Sequence, residues 1–194
     1  MKYVFGEIIH TRSVVEIFRE SLNFEDEYLL DMEICQAYAR LNRETMAQVI
    51  AEHMDWEYFD DDCFHTIHNY IDTLQMVLRK GAVRADRGER LIIPMNMRDG
   101  SLLCIGKGND DWLVSAPHGA GRLMSRKKAF DTLKMEDFTA QMSDVYSTSV
   151  CPETIDESPM AYKPMQEIID AIGDTVEIID IIKPIYNFKA KNGK

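Results

Sequence analysis

The run Ser115-Ala116-Pro117-His118-Gly119-Ala120-Gly121-Arg122, continuing as Leu123-Met124-Ser125-Arg126, constrains this chain more than any other stretch. It sets one histidine between an apolar segment and a glycine-rich turn, with two arginines close behind. The spacing predicts a short strand over Trp112 to Ser115, a turn, and a helix over Arg122 to Thr132. Glycines at Gly119 and Gly121 let the backbone approach a bulky ligand and can aim N–H groups at an anion. Arg122 and Arg126 offer planar forks suited to phosphate. His118 is then a candidate nucleophile or acid–base group for phosphoryl chemistry. A turn with a surface histidine would explain a lone H-G-x-G, but the full stretch is much more specific.

Further blocks stand in order along the chain. They are Ile67-His68-Asn69-Tyr70, Leu78-Arg79-Lys80-Gly81-Ala82, Ile93-Pro94-Met95-Asn96-Met97-Arg98-Asp99-Gly100-Ser101 and Gly106-Lys107-Gly108-Asn109. Beyond His118 follow Glu157-Ser158-Pro159-Met160-Ala161-Tyr162-Lys163 and Lys183-Pro184-Ile185-Tyr186-Asn187-Phe188-Lys189. Together with the histidine motif these blocks resemble the RtcB family of RNA ligases, and several in order are far harder to obtain by chance than one.

The resemblance implies an RNA ligase that uses GTP and Mn²⁺. His118 would be guanylylated, GMP would pass to an RNA 3′-phosphate or 2′,3′-cyclic phosphate end, and a 5′-hydroxyl RNA end would then displace it. His68 matches a manganese ligand and Asn69 a residue beside the guanylate. Pro94, Met95, Asn96, Met97 and Ser101 match the loop around guanine and ribose. Many relatives carry Gly-Ser where this chain has Met95-Asn96; the Asn96 amide keeps both a donor and an acceptor for base contact. Gly119, Ala120 and Gly121 flank the nucleophile. Tyr162 matches an aromatic on the nucleotide, and Lys189 a near-terminal lysine that reads the guanine O6. Lys80, Arg122 and Arg126 are the candidate RNA-phosphate contacts; an exposed helix face explains Arg126 equally well.

The family's other metal ligands have no counterpart in residues 1–62: Asp31-x-x-x-Cys35 has the wrong spacing, and His10 and His53 lack the expected neighbours. The expectation is therefore a C-terminal half, truncated or split and weakly active alone, with the remainder as a candidate partner chain. The alternative is a non-catalytic guanine-nucleotide- or RNA-binding remnant or subunit. Cys63-x-His65-x-x-His68 resembles half of a zinc site, but no second cluster completes it.

Composition narrows the class. At 194 residues the chain suffices for one domain with a substantial core. The net charge of −11 argues against indiscriminate nucleic-acid binding. Its distribution matters more: residues 76–134 carry twelve Lys/Arg against six Asp/Glu, a net of +6, which leaves −17 elsewhere. That window contains the histidine motif. No apolar run is long enough to cross a bilayer, and Met1 to His10 lacks the marks of a signal peptide. Cys35, Cys63, Cys104 and Cys151 are widely spaced and read as free thiols, so a cytoplasmic location is expected.

The periodicity predicts an α+β domain over residues 25–189, an unassigned segment over 1–24 and a tail over 190–194. A long helix is expected from Glu25 to Met54 and a strand over Cys63 to Asp72. A strand, tight turn and strand are expected around Arg79-Lys80-Gly81-Ala82. Two strands, Arg90 to Met97 and Ser101 to Ile105, should flank a turn at Arg98-Asp99-Gly100. Val145 to Val150 should be extended, Pro164 to Ile172 a helix stopped by Gly173, and Thr175 to Phe188 β-rich.

Overall fold

The structure is a computed structural model that describes residues 2–4, 7–9, 25–58, 63–73 and 75–189. The expected tail and most of the unassigned first segment lie outside the described residues. The elements are mixed helices and antiparallel sheets, an α+β arrangement as expected. The chain divides into two compact units, Met1–Val83 and Arg84–Lys194. Among the described residues no helix is long and apolar enough to cross a membrane.

The first unit holds β1 (Lys2–Val4) paired antiparallel with β2 (Glu7–Ile9), the helix α1 (Glu25–His53), and β3 (His68–Asp72) antiparallel to β4 (Val77–Arg84). The helix forms where its apolar spacing predicts, yet that stripe does not become its buried face. Leu41, Met46, Val49 and Ile50 are exposed, while Met32 points at β3, its sulfur accepting the Ile71 N–H. The strand β3 starts only at His68; Cys63 to Ile67 is irregular. The tight turn expected at Arg79 to Ala82 does not exist. Gly81 instead stays inside one continuous strand with φ 68°, opposite a register shift between His68 and Tyr70. The Asn69 side chain accepts the Gly81 N–H at 2.9 Å, which replaces the ladder bond lost at that bulge. Arg79, 1% exposed, is held by Asp72 at 2.9 Å and by the Gln75 side chain at 2.8 Å, so its charge is paired inside the unit.

The second unit is built on a three-stranded antiparallel sheet. β5 (Arg90–Asn96) pairs with β6 (Gly100–Gly106), and β6 pairs with β9 (Val176–Ile182). One face alternates inward through Leu91, Ile93, Met95, Leu102 and Cys104, the period-two pattern of a half-buried sheet. The β5–β6 turn falls where predicted, with Gly100 at φ 86°. The expected strand into the histidine is displaced. Asp110–Trp112 is a 3₁₀ turn, Leu113 and Val114 both have positive φ (52° and 51°), and β7 covers only Ser115–Pro117, fully buried. A β-branched residue at positive φ is an outlier that propensity does not anticipate.

The helix expected from Arg122 starts four residues later. α2 (Arg126–Thr132) is capped by the Ser125 hydroxyl, which accepts the Lys128 N–H at 3.2 Å. A second helix, α3 (Met135–Gln141), was not foreseen. It buries Phe138 with Met97, Met142, Val145 and Ile155 in one cluster, which ties the end of β5 to the 3₁₀ segment Pro152–Glu157. β8 (Tyr146–Ser147) pairs in parallel with β10 (Tyr186–Asn187). Between them lies α4 (Met165–Ile172), ended by Gly173 as expected, with φ −55°.

Candidate functional site

A cleft of about 620 Å³ opens in the second unit, within the range of small-molecule sites. Its lining includes all of the residues of this unit singled out from sequence: Pro94, Met95, Asn96, Met97, Ser101, His118, Gly119, Ala120, Gly121, Arg122, Arg126, Tyr162 and Lys189. Gly100, Glu157, Ile182, Lys183, Pro184 and Asn187 complete it.

The buried strand β7 delivers His118 to this cleft. The loop after it is fastened on two sides. Ala120 N–H donates to Pro94 O at 3.1 Å on the β5 side. Leu123 N–H donates to Ala161 O at 2.8 Å and Lys163 N–H to Gly121 O at 3.1 Å on the other, with a bridge between Arg122 and Tyr162. At Gly119 the backbone passes close to β5: a Cβ there would sit 3.0 Å from Pro94 O, a tight contact. Lys189 reaches the cleft because β10 lies on β8 and because its backbone N–H donates to the buried Ser149 hydroxyl at 2.9 Å.

A charged network lines one wall. The Tyr162 hydroxyl donates to Glu157 Oε2 at 2.7 Å, and Lys189 Nζ is 3.2 Å from the same oxygen. Arg122 Nη1 lies 3.5 Å from Glu157 Oε1 and donates to the Tyr162 hydroxyl at 3.2 Å, its guanidinium 5.0 Å above the Tyr162 ring. Arg122 also donates through Nε to Met124 O and through Nη2 to Asp156 O. Arg126 is 63% exposed and approaches Asp156 and Glu157 only at 3.7 Å. The two arginines thus differ: Arg122 spends most of its fork on hydrogen bonds within the protein, whereas Arg126 makes two longer ion pairs and stays mostly exposed. Burial pushes the Glu157 carboxyl up, but the Tyr162 hydrogen bond and the charges of Lys189 and Arg122 outweigh it and hold the group below the usual carboxylate range. Burial, then the bond to Glu157 and its charge, push the Tyr162 phenol up to about 12.

Some sequence expectations change here. Asn96 lines the cleft, but its Oδ1 accepts the Arg98 and Asp99 N–H groups at 3.0 and 2.9 Å, and its Nδ2 donates to Asp99 Oδ2 at 2.8 Å. Its Oδ1 and one Nδ2 proton are therefore engaged in the β5–β6 turn. Met95 and Met97 are 3% and 1% exposed, so their side chains belong to the core. Glu157, which the sequence reading gives no role, joins the site; its place in the same block as Tyr162 and Lys163 is the available signal.

His68, Asn69 and Lys80 lie in the first unit and are exposed. Asn69 adopts φ 57° and spends its Oδ1 on Gly81. Among the described residues no three His, Cys, Asp or Glu side chains group as metal donors. The described residues therefore do not by themselves fit a manganese centre, which needs several converging ligands.

The profile of the family described as tRNA-splicing ligase RtcB matches residues 9–190. The chain is similar to RNA-splicing ligase RtcB of Escherichia coli strain K12, 32% identical over 183 residues, covering 87% of this chain and 45% of that protein. It is also similar to tRNA-splicing ligase RtcB of Methanopyrus kandleri (31% over 120 residues, 51% of this chain and 12% of that protein). The one from Aeropyrum pernix is 32% identical over 111 residues, 48% of this chain and 23% of that protein. The chain spans about half the length of the Escherichia coli relative.

Proposed function

Because the chain belongs to the RtcB family, we propose that it carries the nucleotide-bearing part of a GTP-dependent RNA ligase. This ligase joins RNA 3′-phosphate or 2′,3′-cyclic phosphate ends to 5′-hydroxyl RNA through a His118–GMP intermediate. The observation that carries the reading is the shared cleft of His118, Arg126, Tyr162 and Lys189. A histidine attacking an α-phosphate needs a neutral ring nitrogen, an in-line leaving pyrophosphate and cations against the developing charge. His118 supplies the nitrogen, Arg126 an exposed cation at the cleft, and Lys189 a donor for a carbonyl oxygen on the base. RNA ends are the substrates proposed. By the family resemblance His68 would contribute one manganese ligand. The described cysteines are free thiols, which fits a reducing compartment such as the cytosol.

The second reading is a guanine-nucleotide- or RNA-binding subunit without ligation of its own. That the described residues do not by themselves fit a manganese centre favours it. The two readings separate on labelling with α-³²P-GTP and Mn²⁺. The chain alone is expected to bind GTP more tightly than ATP but to form little His118–GMP. Label should appear when a polypeptide spanning the rest of the relatives' length is added, and should vanish in His118→Ala. Absence of label in that mixture favours the second reading. Failure of the chain to bind any nucleotide removes both.

A further inference from the structure

We infer that Asp156 is a positioning residue for Arg126: its buried carboxylate, which has no hydrogen-bond partner, draws one side of the guanidinium inward and leaves the other to a phosphate in the cleft. The inference rests on the nucleotide-binding reading above and names what sets the anion contact of that site.

Asp156 lies in the 3₁₀ segment Pro152–Glu157 and is fully buried. Neither of its carboxylate oxygens has a hydrogen-bond partner among the described residues. A charge taken out of water and left without donors needs a cation against it. Among the described residues that cation is Arg126, whose Nε stands 3.7 Å from Asp156 Oδ2. Glu157, the next residue, faces Nη2 of the same guanidinium at 3.7 Å. The two successive acids thus draw on the Nε–Nη2 side of a planar fork, and the Nη1 end is left for an anion.

The two acids are not equivalent. Glu157 is already answered by the Tyr162 hydroxyl at 2.7 Å and by Lys189 at 3.2 Å. Asp156 has Arg126 alone among the described residues. Ile155, packed in the Phe138 cluster, holds the segment in place, whereas Arg126 is 63% exposed. The acid is therefore the fixed member of the pair and the arginine the one that turns. Closing the gap to about 2.9 Å makes a charge-assisted hydrogen bond. A buried carboxylate without donors gives folding little, because an uncharged side chain of similar volume is often as stable or more so. A role in binding therefore separates from a role in folding.

The test uses GMP and guanosine, which differ by the phosphate. Both are titrated calorimetrically into wild type, Asp156→Asn, Asp156→Ser, Arg126→Met and the Asp156→Asn, Arg126→Met double variant. Melting temperatures and the ¹⁵N-resolved Arg126 Nε–H resonance, assigned by its loss in Arg126→Met, are recorded alongside. In Asp156→Asn the GMP affinity should fall about tenfold, within the coupling of residues in contact. Guanosine affinity should stay unchanged, and the melting temperature should stay or rise. Asp156→Ser should behave alike, the double variant should bind GMP no worse than Arg126→Met, and the Nε–H resonance should shift. Equal losses for GMP and guanosine, additive losses in the double variant, or unfolding of both Asp156 variants overturn the proposal. A wild-type chain that binds neither ligand sinks the nucleotide reading instead. The Nε–H resonance then still decides, and one unmoved by Asp156→Asn overturns the pairing.

Discussion

The Tyr162 hydroxyl donates to Glu157 Oε2 across 2.7 Å, within a bend of five residues. The same carboxylate faces Lys189, which approaches from the far end of the chain, and Arg122, which follows the glycine loop. One acid thus joins three segments of the cleft wall, and its protonation state becomes a property of the whole site.

Acidification should loosen that wall. The folded-state Glu157 titrates below its ordinary value, burial being outweighed by Tyr162, Lys189 and Arg122. Its contribution to stability is thus complete above the ordinary carboxylate pKa and is lost as pH falls through the lowered folded value. Melting temperatures of wild type and Glu157→Gln should differ at neutral pH and converge below about pH 4. A constant gap down to acid pH contradicts this assignment.

Removing the lysine should cost selectivity more than stability. Its head is 39% exposed, so Lys189→Met should shift the melting temperature little. A hydrogen bond from a charged group is worth about 1.5–3 kcal/mol, so GTP affinity should fall roughly ten- to a hundredfold with ATP affinity unchanged. Equal losses for both nucleotides would remove Lys189 from base recognition.

Two glycines separate function from folding. At Gly119 an added methyl meets Pro94 O at 3.0 Å, so Gly119→Ala should shift the His118 loop by a few tenths of an ångström, weakening nucleotide binding in a chain that still folds. At Gly100 the same methyl would lie 2.0 Å from Ile182 O, on a backbone at φ +86°. The left-handed conformation alone costs about 1–2 kcal/mol, so Gly100→Ala should lower the urea midpoint much further. The reverse ranking of midpoints would contradict the packing described.

Thiol reactivity reports the core directly. Cys104 is fully buried, and burial pushes its thiol up to about 11. Cys35 and Cys63 are exposed. Iodoacetamide at pH 8, followed by peptide mass spectrometry, should modify Cys35 and Cys63 in the native protein and Cys104 only after denaturation. Early labelling of Cys104 would show that the β5–β6–β9 sheet opens under native conditions.

The amino-acid sequence by itself determined the α+β class, the long first helix, the Gly100 turn and the run of residues that meets in the cleft. Period-two alternation in β5 and β6 and the glycine–histidine spacing are local signals, set by backbone sterics and burial of alternate side chains. The sense of Asn96 was not local: its amide fits base contact equally well until Asp99 and the turn N–H groups are in place. The same holds for the strand expected before His118, where Leu113 and Val114 take positive φ against their own propensity because the surrounding contacts overrule it. The exposed stripe of α1 shows that helical spacing predicts the helix without predicting which face is covered. Only the tertiary structure decided that Arg122 hydrogen-bonds into the protein while Arg126 stays mostly exposed, and that Glu157 meets both Tyr162 and Lys189. Hydrogen-bond partners separated by 35 or 40 residues are fixed by packing in three dimensions, which no single stretch of sequence encodes.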